Sequence, residues 1–251
     1  MASTLNLRLE TLKQRVRRLE TYFERRIPMN YLAHAYQYLS DPYFVAGTNL
    51  PDWLSVVDRK VRVRAKPAQL LISSEDKRTS RTAAGIAQHH WDDQWFHSTP
   101  IFQTLNLEFS VAIREVLSEQ AGLRAGFLGH ILVEILLDWK LAENQPGLLD
   151  EYYSVVETLD VLHLQQTVNR ISKNPTDQLE AMVPRLVNAK FLYDYADDKK
   201  LLLRLNQVMR RVRLPELPDD LLDFFSHARS KIQDHWQTLI TPPDIAFPRF
   251  W

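Results

Sequence analysis

The chain has 251 residues, 45% of them hydrophobic, which suits a globular core and excludes a largely disordered polymer. Basic and acidic residues balance at 31 each, so no net field selects nucleic acid or an anionic membrane surface as partner. The absence of cysteine excludes disulfide frameworks, thiolate metal sites and a cysteine nucleophile.

Only six glycines occur, and apolar residues recur at helical spacing in nearly every window, which predicts an all-α fold. Leu5, Leu9, Leu12, Val16, Leu19 and Phe23 fall at three- and four-residue steps, predicting an amphipathic N-terminal helix that Pro28 closes. Residues 1–28 are therefore expected to form a helical extension that docks on the domain or joins a homo-oligomer, with 29–251 forming one helical domain. Their charged run lacks the apolar centre of a signal peptide. The most apolar stretch, Ala125 to Leu137, is too short to span a bilayer. A soluble, cytoplasmic protein is expected.

A second helix is predicted over about 30–39, ended by Ser40-Asp41-Pro42. A shorter one follows Gly47, with Asn49 as its cap and Pro51 in its first turn. Residues 59–81 are basic and irregular and read as a loop enclosing a short helix. Further helices are predicted over about 82–97, 105–118 and 121–143. Three or four more follow, punctuated by Pro175, Asp197-Asp198, Pro215 and Pro218, before an extended tail at 241–251.

The strongest clue lies in AGFLGHILVEILLDWKL (125–141). Apolar residues occupy nearly every side of this helix, so it must be interior. Yet His130, Glu134 and Asp138 stand in it at successive four-residue steps, forming one slowly drifting stripe. Two carboxylates in an apolar surround cost several kcal/mol unless a charge partner or a metal faces them. A second stripe, His89, Asp93 and His97, runs through GIAQHHWDDQWFH (85–97). Two such helices can meet and chelate a cation, as in metal-binding helical bundles. His34 in NYLAHAY and Asp52 in TNLPDW add two more ligands, each alone readable as an ordinary core histidine or a helix-start carboxylate.

MNYLAH (29–34), AGTNLPD (46–52), GIAQHHWDD (85–93) and HILVEILLDWKL (130–141) resemble, in order and spacing, the motifs of the acyl carrier protein phosphodiesterases. The resemblance covers about residues 29–145 and implies an HD-domain-like helical metal-dependent phosphohydrolase. It matches His34, Asp52, His89 and Asp93 to the family's polar positions, and Glu134 and Asp138 to its later carboxylates. Trp139 replaces a family histidine, while His97 and His130 are extra imidazoles. A sparser similarity, through the His-xxx-Asp-xxx-His and His-xxx-Glu spacings, is to zinc-dependent phospholipase C. Acyl carrier protein or another phosphoester is the implied substrate.

A donor set of imidazoles and carboxylates suits Mn²⁺, or Fe²⁺ or Zn²⁺, better than Ca²⁺. The expected metal ligands are His34, Asp52, His89, Asp93, His130, Glu134 and Asp138, enough for two ions converging on one space. These would activate water against a phosphodiester or phosphomonoester. His97 or His90 is the candidate to protonate the leaving group, or else to orient a ligand. Arg59, Lys60 and Arg62, with Arg64 and Lys66, are candidate substrate-binding residues, or a solvated loop. Two other classes stay open: a di-iron carboxylate oxidase-like bundle, and a non-enzymatic helical interaction module with a buried polar network.

Overall fold

The computed structural model describes residues 30–117 and 124–242. The predicted helix over 1–28 and the tail beyond Pro242 lie outside the described residues. All regular structure among the described residues is helical. The α-helices are α1 (Leu32–Ala35), α2 (Pro42–Val57), α3 (Ala65–Gln69), α4 (Lys77–Ser98), α5 (Pro100–Leu117) and α6 (Arg124–Asn144), then α7 (Leu148–Glu157), α8 (Val161–Ile171), α9 (Leu179–Ala189), α10 (Asp198–Val212) and α11 (Leu222–Leu239). Short 3₁₀ turns follow α1 at Tyr36–Tyr38 and precede α10 at Phe191–Ala196. No described helix is long and apolar enough to cross a membrane.

Capping chemistry moves several boundaries from their predicted places. The segment expected as a helix over 30–39 makes only the single turn α1 before tightening into a 3₁₀ turn. Asp41 caps α2, accepting from the Phe44 N–H at 3.1 Å, and Pro42 occupies the first turn. One helix thus runs from Pro42 through Pro51 to Val57, where only a shorter helix after Gly47 was expected. Asn49 is no cap: it and Thr48 donate back to the Val45 carbonyl at 2.8 and 2.9 Å, inside the helix. Asp76 caps α4 through the Arg78 N–H, so the basic residues 77–81 are its first turn rather than a loop. Among the described residues five α-helices, not three or four, follow Asn144, because Asp160 accepts from the His163 N–H and starts α8 separately from α7.

One continuous apolar core runs from Tyr31 to Leu239. Its centre is α6, where Leu128, Ile131, Leu132, Val133, Ile135 and Leu136 are all fully buried. Helices α1, α5, α7 and α11 surround it. Helix α2 crosses α4 at close range where Gly47 and Gly85 face each other. A Cβ on Gly47 would lie 2.8 Å from the Gly85 Cα, and one on Gly85 would lie 2.9 Å from the Gly47 Cα. Only hydrogen fits there. This contact places Asp52, further along α2, beside His89, one turn beyond Gly85 on α4.

Candidate metal centre

Three elements supply the first group of ligands. α1 presents His34, α2 presents Asp52, and α4 presents His89 and Asp93 one turn apart. One ligand atom each from His34, His89 and Asp93 lies within 4.8 Å of the others. Asp93 sits between the rings, with Oδ1 3.3 Å from His34 Nε2 and Oδ2 3.2 Å from His89 Nε2. The two rings lie 4.4 Å apart, centroid to centroid. Asp52 Oδ1 is 3.6 Å from His89 Nε2.

The electrostatics ask for positive charge. Asp52 is 0% exposed, and neither of its oxygens makes a hydrogen bond to a protein group. Burial, and next the Asp93 charge, push its carboxyl well above the usual range. Burial opposes ionisation of Asp93 too, but the neighbouring His89 charge and the His34 and His89 imidazoles beside it outweigh it and hold Asp93 well below that range. Burial would lower His34, yet Asp92 and Asp93 raise it well above the ordinary imidazole value. Without an ion, the group therefore holds protons where a metal would supply charge. A divalent ion fits the same need: two imidazoles and two carboxylates, with both Asp52 oxygens and His34 Nε2 buried and lacking hydrogen bonds.

A second group stands where the last turn of α4 reaches α6. His97 Nε2 and His130 Nε2 lie 2.9 and 3.2 Å from the same Glu134 oxygen, Oε1. Their ligand atoms also fall within 4.8 Å of one another, and the rings are 4.7 Å apart beside Phe102. Burial alone would raise Glu134, but the His130 charge and hydrogen bonds from both imidazoles bring it down to about 2.

The single space expected from the two stripes is therefore two groups that share no residue. Helix geometry explains the division. From His89 to His97 is eight residues, about 12 Å of helix axis, too far for both ends to meet one ion. Asp138, expected as a ligand, belongs to neither group. Its Oδ2 accepts the Tyr31 and Leu32 N–H groups at 2.9 and 3.0 Å, and its Oδ1 accepts that of Ala33 at 2.8 Å. These are the amides that the start of α1 leaves without intrahelical partners. Burial outweighs those three hydrogen bonds and raises the Asp138 carboxyl to about 7.

The two candidate proton donors take different places in the structure. His97 belongs to the second group. His90 Nε2 lies 2.8 Å from the Val63 carbonyl, tying the segment after α2 to α4; burial, then the adjacent His89, push its ring down to about 4, so it is neutral at neutral pH. Arg59 donates to the Arg211 carbonyl and Arg62 to the Val61 carbonyl, both at 2.8 Å. Lys60 is exposed, with its carbonyl held by Asn174.

Asp92 is the residue that spacing overlooked. It lies three positions after His89, off the four-residue stripe, yet its Oδ2 is 3.4 Å from His34 Nδ1. Its other oxygen accepts from Gln88 at 2.8 Å and from the Trp95 indole at 3.2 Å. Such a carboxylate behind a histidine fixes the ring's tautomer and direction. A cleft opens over this pair, walled by Tyr36, Tyr38, Trp91 and Trp95. No lysine or arginine among the described residues lines it. Compared with protein-family models, with curated proteins and with solved structures, the chain has no match.

Proposed function

We propose that the chain is a metal-dependent phosphoester hydrolase whose working ion is held by His34, His89 and Asp93, with Asp52 completing the set. The observation that carries this reading is the wholly buried Asp52, facing a His–Asp–His group with neither oxygen hydrogen-bonded. A divalent ion held there would supply Lewis-acid polarisation of a phosphoryl oxygen and a lowered pKa for water. The chain's own residues do the rest. Asp138 holds the backbone that carries His34, Asp92 aims its ring, and the Gly47–Gly85 contact sets Asp52 against His89.

The cleft over His34 and Asp92 supports a substrate with an extended body, since its walls offer aromatic faces from Tyr36, Tyr38, Trp91 and Trp95. Because no lysine or arginine among the described residues lines the cleft, a bound ion would be the partner for phosphoryl oxygens, and residues 59–62 are not assigned to substrate. The motif resemblance names phosphopantetheinylated acyl carrier protein as the first substrate to assay.

The test is a panel of phosphodiesters and phosphomonoesters, including that carrier protein, assayed with added Mn²⁺, Fe²⁺ or Zn²⁺ and with a chelator. Hydrolysis that needs metal and falls by orders of magnitude in Asp93→Asn is expected. A chain that binds metal at this group but cleaves no phosphoester overturns the assignment.

A further inference from the structure

We infer that His97, His130 and Glu134 form a second, separate metal site that takes one borderline transition-metal ion of the Zn²⁺ or Co²⁺ kind. This goes beyond the proposed hydrolytic centre, which uses none of these residues.

The argument begins with the donor set. Two imidazoles and a carboxylate, with ligand atoms within 4.8 Å, match three-ligand zinc sites with a fourth position open to water. His130 and Glu134 are preset by their four-residue spacing on α6, and His97 reaches across from the last turn of α4. Both imidazole nitrogens already point at one carboxylate oxygen, at 2.9 and 3.2 Å. Placing an ion between them needs small side-chain rotations rather than backbone movement.

Separation from the first group follows from the bridging it lacks. Ions in a compact two-metal centre sit about 3.5–4 Å apart, usually held by a shared carboxylate. Here the first group's carboxylate, Asp93, places one oxygen toward His34 and the other toward His89. Glu134 instead turns one oxygen to His97 and His130. The second site is also easier to reach: His97 and His130 are each 17% exposed, against 4% for His34 and 1% for His89. Its ion would clamp the end of α4 to α6, the helix that also carries Asp138 and so the backbone of His34.

The full-length chain, freed of metal, is titrated with Zn²⁺ against a chromogenic chelator, and the loaded protein is analysed for metal per chain. Two ions in two resolved steps are expected for the wild type. His97→Asn and Glu134→Gln should each lose one, His34→Asn should lose the other, and Co²⁺ loaded into His34→Asn should still give ligand-field bands of a low-coordinate site. One ion, lost in His34→Asn and retained in His97→Asn, overturns the second site and leaves the hydrolytic reading standing. One ion with the opposite pattern supports the second site and overturns the hydrolytic reading. If no ion binds the wild type, both fall; that arm needs no variant to fold.

Discussion

Asp138 governs His34 without touching it: the carboxylate grips the N–H groups of Tyr31, Leu32 and Ala33, the three residues immediately before that histidine. The contact ties α6 to α1 across more than a hundred positions of sequence. An asparagine has one acceptor oxygen and would turn an N–H₂ toward backbone donors. Asp138→Asn should therefore destabilise the fold by about 1–3 kcal/mol. Metal binding at the first group should weaken about 10–100-fold, as for other residues that orient ligands. Isothermal titration with Mn²⁺ or Zn²⁺ checks it; unchanged affinity would show that the α1 backbone holds its place by packing alone.

The same residue shows how far sequence alone reaches. The stripe His130, Glu134, Asp138 is legible from spacing on an apolar helix, as is the need for a partner to each carboxylate. What spacing cannot tell is which partner. Asp138 meets backbone amides, because the first N–H groups of any helix, α1 included, have no acceptor within it, while Glu134 meets two imidazoles. The all-α class was legible from periodicity. The starts of α2 and α4 were not, since they depend on Asp41 and Asp76 folding back on amides two or three residues ahead. Asp92 escaped notice because its link to His34 joins distant segments and follows no local period.

The Gly47–Gly85 contact yields a second prediction. A methyl group at either position meets backbone, which cannot yield as a side chain can. Gly47→Ala or Gly85→Ala should cost about 1–3 kcal/mol or more by forcing α2 from α4. Because Asp52 and His89 lie just beyond this crossing, metal affinity should fall with stability. Denaturant unfolding combined with metal titration reads both. A destabilised variant with wild-type affinity would uncouple the crossing from the site.

Acid sensitivity is expected at the α5–α11 contact. Glu108 lies 2.8 Å from Lys231 Nζ and 3.2 Å from His227 Nε2, and the Lys231 hydrogen bond is the main cause of its lowered pKa. A folded-state pKa below the unfolded one adds stability above the unfolded value, near pH 4 for a glutamate, and loses it as pH falls through the folded value. Glu108→Gln should therefore unfold at a lower temperature than the wild type at neutral pH, with the difference closing below about pH 4. A gap that persists at low pH would assign the effect to packing.

Thermal unfolding with and without a chelator, for the wild type and Asp52→Asn, tests the metal centre most directly. A site occupied at one hundred times its dissociation constant adds about 2.7 kcal/mol, roughly 5–10 °C in Tm for a domain of this size. The wild type should show that rise with Mn²⁺ or Zn²⁺ and lose it with chelator. In a double variant with His97→Asn, which removes any contribution of the second group, Asp52→Asn should abolish the rise. With chelator present, Asp52→Asn should be at least as stable as the wild type, because a buried amide needs no proton taken up to stay neutral beside Asp93, as the Asp52 carboxyl does. A wild type whose Tm ignores both metal and chelator, with Asp52→Asn destabilised equally in the two conditions, would contradict the account and make the buried cluster a protein network alone.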